Sequence, residues 1–180
     1  IFITFVSMLV SLFSVAQDYR IFGTVNVDYN DKPVYLINKN SGDTIARSTV
    51  VDGNFSFSGS LDDQAVIDVV VNRIKGLAAT VLVGEDTDAS VNMTVRPVAV
   101  SDNGGLNDKL IEMYANVVKV SREVNALGAQ LRDEGKSEEE VAAATATART
   151  GLHDVYRNTI RDNRDNILGA FVLNKVARDL

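Results

Sequence analysis

The chain contains no cysteine and a single histidine, His153. Structural zinc sites are built mainly from Cys and His, so none is expected here. A thiol nucleophile and a disulfide are both impossible. A Ser-His-Asp triad would have to use His153, which lies in a helix-like stretch with no nucleophile motif nearby. Basic clusters are also missing. The formal net charge is −6, and a surface that releases counterions from nucleic acid phosphates needs grouped Lys and Arg. The same acidity disfavours docking on an anionic membrane surface. What the chain does have is a globular composition, 46% hydrophobic and 23% charged over 180 residues. That length can supply a core without disulfides.

Residues Ile1 to Ala16, IFITFVSMLVSLFSVA, carry no charge. The run is shorter than the ~20 apolar residues a spanning helix needs. It closes on Ser14-Val15-Ala16, with small residues where a signal peptidase reads. We expect residues 1–16 to be an export signal, cleaved after Ala16 and leaving Gln17-Asp18 first; the alternative is a buried terminal strand or helix. Initiator Met and basic n-region are missing, so the sequence reads as starting inside a longer one. Lipidation at the cleavage site would need a cysteine and is excluded within these residues. The expected location is outside the cytoplasm, in the periplasm or cell envelope, with no stable membrane span after cleavage.

From Tyr19 to Val100 the pattern has period two. Ile21, Gly23, Val25, Val27 and Tyr29 alternate with Phe22, Thr24, Asn26 and Asp28. Strands follow at Val34–Ile37, Thr44–Val51, Asn54–Ser58, Ala65–Val71, Ala78–Val83 and Ser90–Val95, the last two expected to pair around Gly84–Asp88. Asp52-Gly53 is the strongest hairpin signal, because both residues tolerate positive φ. Ala65–Val71 is almost continuously apolar, as a central strand should be. No stretch before Asn103 looks helical. The expectation is an antiparallel β-sandwich or half-open barrel of about seven strands over residues 18–100.

Ser101-Asp102-Asn103-Gly104-Gly105 reads as a joint, after which residues 106–180 are helical. Leu106, Leu110, Met113, Val117, Val120, Val124, Leu127 and Leu131 are spaced 4-3-4-3-4-3-4, a heptad seam. The helix should run from Leu106 to Asp133, roughly 40 Å at about 1.5 Å per residue. Glu134-Gly135-Lys136 ends it, and Ser137 with Glu140 looks like a capping box for a second helix reaching Asp162. Its apolar positions are Val141, Ala144, Ala148, Leu152, Val155, Tyr156 and Ile160. A turn this short implies an antiparallel hairpin. Asn163-Arg164-Asp165 breaks it, and Ile167, Leu168, Phe171, Val172 and Val176 mark a shorter third helix. The fold class is therefore α+β, a β-domain followed by a helical hairpin and a short helix. The seam has two uses open to it: the buried core of the hairpin, or a dimer interface.

Acidic groups at Asp28/Asn30/Asp31, Asp62/Asp63 and Glu85/Asp86/Asp88 fall at predicted turns and match no calcium loop, so solvated turns are the simpler reading. His153 has no companions and is read as a flank residue of the second helix. The Tyr and Phe residues could stack on a sugar or peptide, but Phe55 and Phe57 share one strand face and are read as core. No catalytic residue, cofactor or metal site is expected.

The sequence resembles DUF4369, the amino-terminal domain of Bacteroidetes thioredoxin-like (AhpC/TSA, TlpA-like) proteins. The matching pieces are Ile21-Phe22-Gly23-Thr24-Val25, Val34-Tyr35-Leu36, Ile45-Ala46-Arg47-Ser48, Asp52-Gly53-Asn54-Phe55-Ser56-Phe57-Ser58-Gly59, Gly105-Leu106-Asn107-Asp108-Lys109-Leu110 and Asn166-Ile167-Leu168-Gly169-Ala170-Phe171-Val172-Leu173. They cover residues 19 to 178 in the family's order. In that family a thioredoxin fold with a Cys-x-x-Cys pair commonly follows. The resemblance implies a non-catalytic accessory domain of an exported thiol-disulfide oxidoreductase, with an attached or partner thioredoxin-like domain; the heptad seam separately offers a homodimer through the hairpin as a further expected partner. This sequence has no cysteine, so the redox activity transfers to no residue in it. A stand-alone binding module for a glycan or peptide is the competing expectation.

Overall fold

The computed structural model describes residues 16–74 and 77–177. The expected export signal falls on residues 1–16 and so lies, apart from Ala16, outside the described residues. Eight strands and three helices follow in the order β1 (Gln17–Thr24), β2 (Pro33–Asn38), β3 (Thr44–Thr49), β4 (Asn54–Leu61), β5 (Ala65–Val71), β6 (Ala78–Val83), β7 (Thr87–Asn92), β8 (Ala99–Ser101), α1 (Leu106–Asp133), α2 (Glu138–Asp162) and α3 (Ile167–Val176). The fold is α+β, with two four-stranded sheets ordered β4-β1-β7-β8 and β3-β2-β5-β6.

Among the described residues the strands number eight, not seven, because the three-residue β8 carries no period to detect. The pairing is not wholly antiparallel either: β1 and β7 run parallel. The first strand stops at Thr24, since Val27–Tyr29 form a 3-10 turn in which the Asn26 side chain accepts from the Asp28 N–H. Val27 is therefore 60% exposed rather than part of an apolar face. The third strand ends at Thr49, two residues short of the sequence expectation. The expected pair at Ala78–Val83 and Ser90–Val95 does not form. β6 and β7 belong to different sheets, and Thr87 turns the chain by accepting the Gly84 N–H and donating to its carbonyl.

Asp52-Gly53 makes a tight turn, with φ of 49° and 72°, as the primed two-residue turns require. Val51 and Asn54 exchange both backbone hydrogen bonds across it. The strands it joins, β3 and β4, nevertheless lie in different sheets.

One core fills the space between the sheets. Ile21, Phe55, Phe57 and Val91 enter it from the first sheet; Val34, Leu36, Ile67, Val69 and Val81 enter it from the second. Phe55 and Phe57 are thus buried, ring edge to ring face, with centroids 6.1 Å apart. Two glycines let aromatic rings lie down in this core. Gly23 pairs with Phe55 and Gly59 with Tyr19 across the β1–β4 ladder. A Cβ on Gly23 would overlap the Phe55 ring, and one on Gly59 would press on the Tyr19 hydroxyl.

A second core lies on the other face of β5 and β6. Period two sends Ile67, Val69 and Val71 inward and Val66 outward, where it joins Leu82, Leu110, Met113, Leu168 and Val172. β5 is internal to its sheet and covered on both faces, which is why it reads as a nearly unbroken apolar run. The helices form the antiparallel hairpin expected. Gly151 lies under Val120, and Gly128 near Thr145 and Val141. Ser137 caps α2 in a complete capping box with Glu140.

Candidate interaction groove

Two side-chain anchors hold the helices over the second sheet. On β6, an edge strand, the outward N–H of Leu82 donates to Asn107 Oδ1 at 2.8 Å, and Asn107 Nδ2 returns a bond to the Leu82 carbonyl at 2.9 Å. The amide side chain stands in for a neighbouring strand. Asp102 holds it there, accepting from Asn107 Nδ2 and from the backbone N–H groups of Asn107 and Asp108. Asp108 in turn accepts from the N–H groups of Asp102 and Gly104. The joint at 101–105 is thereby a reciprocal cap on α1, which otherwise lacks a side-chain N-cap bond at Gly105. The second anchor is Gln64, whose Oε1 accepts from the Ile167 N–H at 2.6 Å and fixes the start of α3.

Between α1, α3 and the outer face of β5 and β6 these anchors leave a cavity of about 710 Å³. Its walls are Val66, Leu110, Ile111, Tyr114, Ile167 and Phe171, with Lys39, Thr80 and Lys175 as polar groups. At one end Lys39 Nζ donates to both oxygens of Asp68, at 3.0 and 2.8 Å, and Thr80 Oγ1 donates to Asp68 at 2.7 Å. At the other, Lys175 Nζ lies 4.8 Å from the Tyr114 ring centroid and 5.9 Å from that of Phe171. It donates to the Tyr114 hydroxyl at 2.6 Å. The arrangement suits binding: an apolar floor, an aromatic wall carrying a cation, and a carboxylate already engaged by a lysine and a hydroxyl.

No family model matches the sequence, and no curated protein matches it.

The eight seam residues do not act alike. Leu110 and Met113 are buried in the core against the sheet and α3, with Leu106 packed beside them. Val124 is buried along the hairpin; Val117, Val120, Leu127 and Leu131 are half-buried. A neighbouring stripe on α1 was missed by the heptad reading. Ile111, Tyr114 and Val118 are spaced three and four apart; Ile111 and Val118 remain 45% and 46% exposed, and Tyr114 between them is half-buried against the second core. That spacing was available in the sequence, masked by the stronger seam beside it. Lys39, Thr80 and Lys175 had no local signal.

Elsewhere the turn acids serve the backbone. Asn30 Oδ1 accepts from the Gly53 N–H, Asp63 accepts from the Gln64 N–H, and Asp31 and Asp86 adopt positive φ. Among the described residues no three His, Asp or Glu side chains are grouped to hold a metal ion. No described helix is long and apolar enough to cross a membrane. His153 is half-buried on α2. On the outer face of the first sheet Phe22 is 50% exposed, between Ser56 of β4 and Ser90 of β7. Beside it Arg20 and Asp88 form an ion pair at 2.8 Å.

Proposed function

We propose that this chain is a non-catalytic interaction module of an exported, DUF4369-like protein of the periplasm or cell envelope, and that its two sheets are the β-sandwich of that family. The groove between α1 and α3 carries the reading: its apolar and aromatic walls are built to hold another surface, and two of its polar lining groups, Lys39 and Thr80, are already engaged with Asp68. In the resembling family a thioredoxin-like domain follows this region. The segment leading toward such a domain here is α3, one wall of the groove, so an attached domain would emerge beside it. Thiol chemistry would belong to that domain. Self-association through the hairpin is part of the same reading, and Ile111 and Val118 are the exposed apolar residues of α1 available for it.

The test joins the chain to the sequence that follows Leu180 in its gene. If an in-frame Cys-x-x-Cys domain is present, hydrogen exchange at Ile111, Tyr114, Ala170 and Phe171 should slow relative to the chain alone. Equal exchange in both would remove the proposal. Sedimentation at high concentration checks the dimer, which a strict monomer would eliminate.

Exposed Phe22 favours a second reading, a stand-alone glycan- or peptide-binding module. An aromatic ring among serine hydroxyls and an Arg–Asp pair matches the apolar face and polar rim of a sugar. A stop codon directly after Leu180, with oligosaccharide-induced NMR shifts at Phe22, Ser56 and Ser90 that Phe22→Ala abolishes, would select it.

A further inference from the structure

The two sheets end in four edge strands, and three of them are guarded. β6 is sealed by the buried Asn107 amide. β8 is only three residues long. β3 carries Arg47, and the register of its pairing with β2 shifts between Leu36 and Ile37. Charges, short length and irregular pairing are the ordinary ways of blunting an edge.

β4 has none of these. Its eight residues, Asn54 to Leu61, contain no charge and no proline. It pairs with β1 in unbroken register. Among the described residues, nothing pairs with its other side except Val51, which bridges to Asn54. That bridge also fixes which groups face outward. Gly53 accepts from the Val25 N–H on the β1 side, while Asn54 bonds Val51 on the far side. In an antiparallel ladder the direction alternates, so the N–H and C=O of Ser56, Ser58 and Ser60 point away from β1. The serine side chains stand on the exposed outer face.

We infer that β4 is a strand-addition site, and that its occupant is an extended polypeptide segment with a basic residue near each end. A row of alternating N–H and C=O groups recognises another backbone rather than a small molecule. The ends of the strand set the charge. Asp52 lies in the turn before it and Asp63 in the turn after it, both exposed. Val51 already occupies the outward side of Asn54, so a partner strand pairs from Ser56 to Ser60 and has an aspartate beyond each end, Asp52 past one and Asp63 past the other. A second copy of this chain is the wrong occupant. Paired antiparallel through β4, it would bring Asp52 of one copy toward Asp63 of the other; paired parallel, it would align like with like. Both arrangements set like charges opposite one another.

The experiment uses the full chain and two synthetic twelve-residue peptides with the same alternating Thr-Val interior, one with lysine at both ends and one with glutamate. The lysine peptide should bind at least about tenfold more tightly, by fluorescence anisotropy at low salt, an electrostatic preference of about 1.4 kcal/mol. It should slow amide exchange at Ser56, Ser58 and Ser60. Ser58→Pro removes an outward N–H that β1 does not use, so it should abolish binding. Asp52→Asn with Asp63→Asn preserves turn chemistry and should bring the two peptides within about twofold of one another, which keeps the test open if Ser58→Pro fails to fold. Equal binding of the two peptides to the unaltered chain would overturn the proposal. So would peptide protection that maps outside β4, or protection of the three serines that rises with protein concentration in the absence of peptide.

Discussion

At the scale of single residues, stability rests on a few side chains that replace backbone partners or make room for rings. Asn107 satisfies both edge-facing backbone groups of Leu82 in a site where the asparagine is 2% exposed. Asn107→Ala strands a buried N–H and a buried C=O, each costing about 1–3 kcal/mol, so a loss of about 3 kcal/mol is expected in urea unfolding. Asn107→Asp keeps the acceptor but loses the donor, and faces the Asp102 carboxylate. It should not restore stability, and if it did, the proposed role of the amide would be wrong. Gly23 is needed for a different reason, the close approach of the Phe55 ring. Gly23→Ala should cost about 1–3 kcal/mol as overpacking, and Phe55→Leu in the same chain should recover part of it. Additive losses in the double variant would sink that explanation.

At the scale of elements, the hairpin turn shows how local chemistry sets a boundary. Ser137 and Glu140 cap α2, and Arg132 bridges to Glu138 at 2.8 Å. The Ser137 backbone N–H, then its hydroxyl, holds the Glu140 carboxyl below the usual range, with a smaller contribution from Lys136. Hydrogen bonding and charge from Arg132 do the same for Glu138. Both folded values are depressed, so their contribution is present above the ordinary glutamate value of 4.5 and is lost as pH falls through the lower folded values. Amide protection around 137–141 should therefore decline on acidification below about 4.5, ahead of the sheets. Glu140→Gln should flatten most of that dependence; an unchanged pH profile in the variant would contradict the assignment. These elements were the legible ones. A capping box, a heptad seam, the Asp52-Gly53 turn and the break at Asn163–Asp165 are encoded within a few residues of one another. β8 and the 3-10 turn at Val27 were not, because three residues carry no period.

At the scale of the molecule, the helices and sheets are joined by a shared core rather than a flexible link. Val66 and Leu82 belong to strands yet pack with Leu110, Leu168 and Val172. Leu168 is fully buried, and Leu168→Ala should cost about 2–5 kcal/mol. Helix and sheet should unfold in one transition, with far-ultraviolet circular dichroism and tyrosine absorbance changing together. Two separated transitions would show that the shared core does not couple them. The groove was illegible beforehand because its walls come from Lys39, Val66, Thr80, Tyr114 and Phe171, residues with no mutual spacing in the chain.

By itself the sequence determined that no thiol or disulfide can form within these 180 residues, that period two changes to a helical period near residue 105, and where the turns and caps fall. Each of these depends on residue type or on neighbours along the chain. Tertiary structure alone decided that β1 and β7 run parallel, that β6 and β7 part into different sheets, and that one edge is sealed by Asn107 while β4, among the described residues, pairs along one side only. Partner choice among strands follows from which surfaces can be buried together across the whole molecule. Periodicity shows that a strand has an apolar face, but it does not say what that face meets or which edge is left bare.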